Sequence, residues 1–133
     1  MAFTPRQGGL RSAVSAGGVL LALALLACAS SEARKVEEAR AVVRDFFTGL
    51  GSRDCAALAP LLATGGSAKS CEDTVRELHE HRMELLDIVD ATVDGRDANA
   101  VLVRIKVARD GAVKEAPLVL RVEHQGGRWK LRL

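Results

Sequence analysis

The chain has no tyrosine, one tryptophan and three phenylalanines, so any chemistry resting on a phenolic donor or on an aromatic cage is excluded from the start. Cysteine and proline are equally sparse, at three each. Three cysteines are too few for a disulfide-dense miniprotein, and no pair of them has a nearby ligand pair at a zinc spacing. Acidic residues are missing altogether before Glu32, and no charge of either sign occurs from Ala13 to Ala27. Arg6 and Arg11 are the only charges ahead of that run.

A short basic N-terminus followed by an apolar run is the arrangement of an export signal. The run from Ala13 to Ala27 is shorter than the roughly twenty residues needed to span a hydrocarbon core, so it reads as a signal core. It ends in Leu25-Leu26-Ala27-Cys28, which resembles a bacterial lipobox. Leu25 stands three before the cysteine and a small residue immediately before it, while Leu26 is bulkier than the pattern prefers. The resemblance implies a diacylglycerol built on the Cys28 sulfur and cleavage before it. Three other readings stay open: ordinary signal cleavage at Ala27-Cys28-Ala29, releasing a soluble secreted domain; an inert thiol in an uncleaved helix; and a buried core cysteine.

On the lipobox reading, residues 1–27 are the signal peptide, residues 28–35 a brief polar tether, and residues 36–133 one folded domain near the bilayer. Ala29 is not the aspartate that signals inner-membrane retention in related lipoproteins, so with two membranes the expected address is the outer membrane, facing the periplasm. Removing Arg6 and Arg11 from the 19 basic residues leaves as many as the 17 acidic ones. A near-neutral domain has no global attraction to nucleic acid.

The periodicity predicts helices first and strands after. Val36, Ala39, Val43, Phe46, Phe47 and Leu50 recur at steps of three and four, with Gly51 placed to end that helix in a left-handed conformation. Asp54 is positioned to cap a short helix limited by Pro60, and Ser70 with Asp73 to open a third helix reaching about Arg82. Val101, Val103, Ile105 and Val107 then alternate with Leu102, Arg104, Lys106 and Ala108, a strand with one buried face. Asp110-Gly111 turns the chain into a strand from Ala116, and Gln125-Gly126-Gly127 turns it into the last, Arg128 to Leu133. Leu85 to Val93 is the remaining strand, with poorly sorted faces. The fold class is α+β, three helices on a curved four-stranded antiparallel meander.

The helix with Val43-Arg44-Asp45-Phe46-Phe47, the Ala-Leu-x-Pro-Leu-Leu segment at 57–62 and the final Gly127-Arg128-Trp129-Lys130-Leu131 together resemble the nuclear transport factor two-like superfamily, over Val36 to Leu133. Small secreted bacterial lipoproteins of undefined function are the nearest likeness within it. The resemblance implies a curved sheet wrapped over helices as a cone, whose interior is a ligand pocket, an active site or simply core. The chain departs from it in lacking an evident strand between the second and third helices. An active member implies isomerase or dehydratase chemistry by an Asp or His base with a Tyr or acid donor. Without tyrosine, only Asp45 and Asp87 are candidates to point inward, and an unmatched aspartate is no active site.

We therefore expect a non-catalytic binding or scaffolding domain with no cofactor and no metal, the pocket enzyme being the alternative. His79 and His81 lie about 200 degrees apart on a helix and cannot share an ion, and His124 has no evident partner. In an exported protein, Cys55 and Cys71 are most simply a disulfide, with two free thiols as the other reading. Arg104, Lys106, Arg121, Arg128, Lys130 and Arg132 share one strand parity, opposed only by Glu123. Such a face either keeps a sheet soluble or meets an anionic envelope polymer, acidic headgroups or an acidic protein.

Overall fold

The structure, a computed structural model, describes residues 17–133, with side chains from Ser30 onward. Apart from the backbone of 17–27, the expected signal peptide (residues 1–27) lies outside the described residues, and so does the Cys28 sulfur. Three helices precede an antiparallel sheet: α1 Gly17–Leu50, α2 Cys55–Leu58 with a 3-10 turn Ala59–Leu61, and α3 Cys71–Glu80. The strands are β1 Glu84–Asp94, β2 Asp97–Arg109, β3 Ala112–Val113, β4 Leu118–Gln125 and β5 Arg128–Arg132. They are ordered β1-β2-β4-β5, with β3 paired to β2. The sheet is curved and does not close.

Helix α1 buries Ala39, Val43, Phe46 and Leu50 on the expected stripe, with Val36 and Phe47 flanking it. It begins well before Val36: residues 28–35, expected as a brief tether, belong to the same helix. Ala33, Arg34 and Lys35 are strong helix formers, and Arg34 lies 4.0 Å from Glu38 one turn on. The helix does not end on a left-handed Gly51. Hydrogen bonds from Ser52 N to Gly49 O and from Arg53 N to Leu50 O continue the winding. The left-handed residue is Arg53, at φ 53°.

Asp54 caps α2 as expected, its Oδ1 accepting from Ala56 N at 2.9 Å, and Pro60 restricts the helix to one turn before the 3-10 segment. Ser70 caps α3 by accepting from Asp73 N at 3.1 Å. The reciprocal half of that box is replaced, because the Asp73 carboxylate accepts from Arg76 at 2.6 Å. α3 stops at Glu80 rather than Arg82. Arg82 turns left-handed at φ 45°, which lets Met83 N reach back to Leu78 O at 2.9 Å.

Strand β1 has poorly sorted faces because it is bulged. Leu85 and Asp87 oppose the adjacent residues Val107 and Lys106, and Ile88 and Asp90 oppose Ile105 and Arg104. Leu86 and Val89 are therefore extra residues, and both are exposed. Each bulge resets the inward parity, so Leu85, Ile88, Ala91 and Val93 pack on the core. The bulges also bend the strand, which curves the sheet over α1.

Strand β2 alternates as expected, burying Val101, Val103, Ile105 and Val107. Asp110 and Gly111 both take positive φ, 52° and 83°, as a two-residue hairpin turn requires. The returning strand does not begin at Ala116: the two-residue β3 pairs first, and β4 begins only after Pro117, which has no N–H for the ladder. At the opposite edge, Leu62 forms a single parallel bridge to Leu131. The core is apolar throughout, and Thr74 is the one buried polar residue among those described.

Candidate functional site

The inner face of the sheet is lined by apolar side chains. They are Val101, Val103, Ile105, Val107, Leu120, Val122 and Leu131, packed on Val43, Phe46 and Leu50 of α1. Asp45 and Asp87, the two candidates to point inward, are both exposed instead. The histidines diverge: His79 faces Arg53, whose Nη2 lies 2.9 Å from its Nδ1, whereas His81 Nδ1 lies 3.8 Å from Asp110 Oδ2. His124 does have a partner, an edge-on contact with Trp129 across the β4–β5 pair, ring centres 5.2 Å apart. Among the described residues no group of three His, Cys, Asp or Glu is placed to hold a metal.

Cys55 and Cys71 stand at the starts of α2 and α3 with their sulfurs at disulfide distance and their Cα atoms 6.0 Å apart. That separation falls inside the range a disulfide spans without backbone movement.

The six cations of the outer sheet face divide into two sets. Arg104, Arg121 and Arg132 are engaged by carboxylates. Arg104 Nε donates to Asp90 Oδ1 at 2.9 Å, across the register pair Asp90–Arg104. Arg121 donates from Nη1 to Asp94 and from Nη2 to Asp97, each at 2.8 Å, and from Nε to Glu123 at 3.3 Å. Arg132 Nε donates to Glu123 Oε1 at 3.0 Å, while its Nη1 donates to Gly65 O at 2.8 Å. Lys106, Arg128 and Lys130 carry no ion pair among the described residues.

Electrostatics follow these contacts. The Arg132 hydrogen bond, then Arg121, holds the Glu123 carboxyl below the ordinary range against the upward push of burial. The Arg104 guanidinium does the same to Asp90. Asp94 is lowered first by the backbone N–H of Arg96 and then by Arg121. The sequence showed only Glu123 opposing these cations. Asp90 and Asp94 come from β1 and Asp97 opens β2, and strand register brings them to these arginines. Asp90 and Arg104, on opposite arms of the β1–β2 hairpin, were the available signal.

Cationic side chains gather elsewhere, at a seam not singled out from sequence. The C-terminal half of α1, the end of α3 and the start of β1 enclose an open groove of about 580 Å³. Phe47, Leu78, Met83 and Leu85 form its apolar wall, and Arg44, His79, Arg82 and Glu84 its polar one. A second hollow of about 420 Å³ shares Arg44 and Leu85 with it and continues along Arg40, Leu86, Asp87 and Ile88. The signal in the sequence was Arg40 and Arg44, one helical turn apart beside the apolar stripe.

No known protein family matches this chain, and no curated protein does. Among the described residues, no helix is long and apolar enough to cross a membrane.

Proposed function

We propose that this is a lipid-anchored cell-envelope protein whose folded part is a non-catalytic binding or scaffolding domain of the cone type found in the nuclear transport factor two-like superfamily. The observation that carries the reading is the placement of the only two cysteines after Cys28. Cys55 and Cys71, far apart in the chain, meet at bonding distance. Paired cysteines suit an oxidising compartment, which is where the leader and the Leu25-Leu26-Ala27-Cys28 stretch would deliver the chain. The apolar inner face of the sheet supports a packed scaffold over a reaction chamber, because acid–base chemistry there needs a polar pair. On the outer face the proposed partner, an anionic envelope polymer or an acidic protein, would meet Lys106, Arg128 and Lys130.

Metabolic labelling with a palmitate analogue tests the reading. Label should appear on the wild-type chain in the membrane fraction and vanish in Cys28→Ala. An unlabelled chain in the soluble fraction would end it in favour of a secreted soluble domain.

A further inference from the structure

We infer that the seam groove between α1, α3 and β1 binds a single-chain anionic amphiphile, an acyl chain ending in a carboxylate or a phosphate. The inference rests on the reading of the folded part as a binding domain and is independent of the anchor at Cys28.

Charge selects the head group. On the sheet face, Arg104, Arg121 and Arg132 already spend their donors on carboxylates. In the groove, Arg44 has no ion pair among the described residues. Arg82 has only Asp110, with Nε 3.9 Å from the nearest oxygen, beyond hydrogen-bond range. Glu84 is the single carboxylate on the groove wall and Asp87 the one on the adjoining hollow, and neither pairs with Arg44 or Arg82 among the described residues. Further along the seam, Arg40 has a buried Nε with no hydrogen-bond partner among the described residues. An anion in the groove would accept from Arg44 and Arg82, exposed guanidinium groups with no hydrogen-bonded carboxylate of their own.

The apolar wall selects the tail. Phe47, Leu78, Met83 and Leu85 offer a half-buried surface beside the two arginines, and Met83 adapts readily to an irregular chain. The groove volume of about 580 Å³ lies within the range of small-molecule sites, and the second hollow continues past Leu86 and Ile88 beside Arg40 and Asp87. A peptide fits less well. The usual route for one would be addition to β1, a sheet edge, but the bulges at Leu86 and Val89 interrupt its ladder.

The chain has two methionines, Met1 and Met83, so 13C-methyl methionine labelling of the full chain in zwitterionic nanodiscs places a reporter in the groove. Decanoate and decyl phosphate, titrated separately, should shift the Met83 methyl resonance saturably, and decyltrimethylammonium at the same concentrations should not. A shift with only one anion identifies whether a carboxylate or a phosphate head is taken and supports the proposal either way. Arg44→Glu with Arg82→Glu should weaken the titration at least about tenfold, as loss of charge-assisted hydrogen bonds does. The milder Arg44→Gln with Arg82→Gln should weaken it in the same direction while preserving the wild-type circular dichroism. Arg128→Glu with Lys130→Glu should leave it unchanged. Equal shifts with the cation, no shift with either anion, or an unaltered titration in both groove variants would overturn the proposal. Palmitate labelling at Cys28 in the same preparations reports separately on the anchor.

Discussion

The side-chain amide of Gln125 grips the backbone of Thr64 from both sides, Oε1 accepting from Thr64 N at 2.9 Å and Nε2 donating to Thr64 O at 2.8 Å. One amide thereby stands in for the peptide unit of a neighbouring strand. Together with the bond from Ala63 N to Leu131 O at 2.8 Å, it lays the loop after the 3-10 turn along β5. The exposed edge of the sheet is covered without a full strand.

Gln125→Ala should cost about 1 kcal/mol, since both bonds are partly solvated. Gln125→Glu should keep the acceptor but set a carboxylate against Thr64 O at neutral pH. That variant should recover stability as acid protonates it and restores a donor. Urea unfolding at pH 7 and pH 4 checks both, and equal midpoints for all three proteins would show that the clamp contributes nothing.

Gly49 has a packing role. A Cβ built there would lie 2.8 Å from Leu58 Cδ2, and Leu58 is 1% exposed. Ala is favoured over Gly in a helix by up to about 1 kcal/mol, but moving a side chain in a filled core costs about 1–3 kcal/mol. Gly49→Ala should therefore destabilise on balance. Combined with Leu58→Ala it should be less harmful than the two single effects added, because the new methyl enters the vacated space. A double-mutant cycle by denaturant unfolding measures this, and strict additivity would contradict the contact.

A bridge between Cys55 and Cys71, whose sulfurs stand at disulfide distance, would close a loop of sequence separation 16 around the Gly65-Gly66 segment. Reduction, or Cys55→Ser with Cys71→Ser, should lower stability by about 3 kcal/mol. Non-reducing peptide mapping should recover the two cysteines joined. Recovery of both unlinked from native protein would remove this prediction and the support it lends to export.

Glu123 should make the domain sensitive to acid. Its carboxyl is held low by Arg132 and Arg121, so the folded value lies below the unfolded one. A depressed carboxyl contributes stability that is full above the unfolded value, about 4.3, and is lost as pH falls through the folded value. Glu123→Gln should cost about 1–2 kcal/mol at pH 7, with the gap to wild type closing below about pH 4. Unfolding midpoints at pH 7, 5 and 3 test the sign. A gap that widens toward pH 3 would mean the pairing is not what stabilises the native state.

Local signals were readable wherever one residue acts on its own neighbours. The caps at Asp54 and Ser70, the stop at Pro60 and the Asp110-Gly111 turn all depend on bonds within a few positions. Gly51 misled because glycine permits a left-handed conformation without requiring one, and two further turn bonds moved that conformation to Arg53. β1 misled because a bulge adds one residue and flips every later side chain, which strict alternation cannot represent.

By itself the sequence determined the α+β class, the buried stripe of α1 and the inward residues of β2, because burial of one face imposes a period on the chain. Only the tertiary structure decided which charges are satisfied. Asp90, Asp94 and Asp97 reach Arg104 and Arg121 through strand register, and Arg44 meets Arg82 at one groove through helix packing. Coulombic and hydrogen-bond energies depend on distances between residues remote in the chain, and those distances exist only once the sheet has curved over α1.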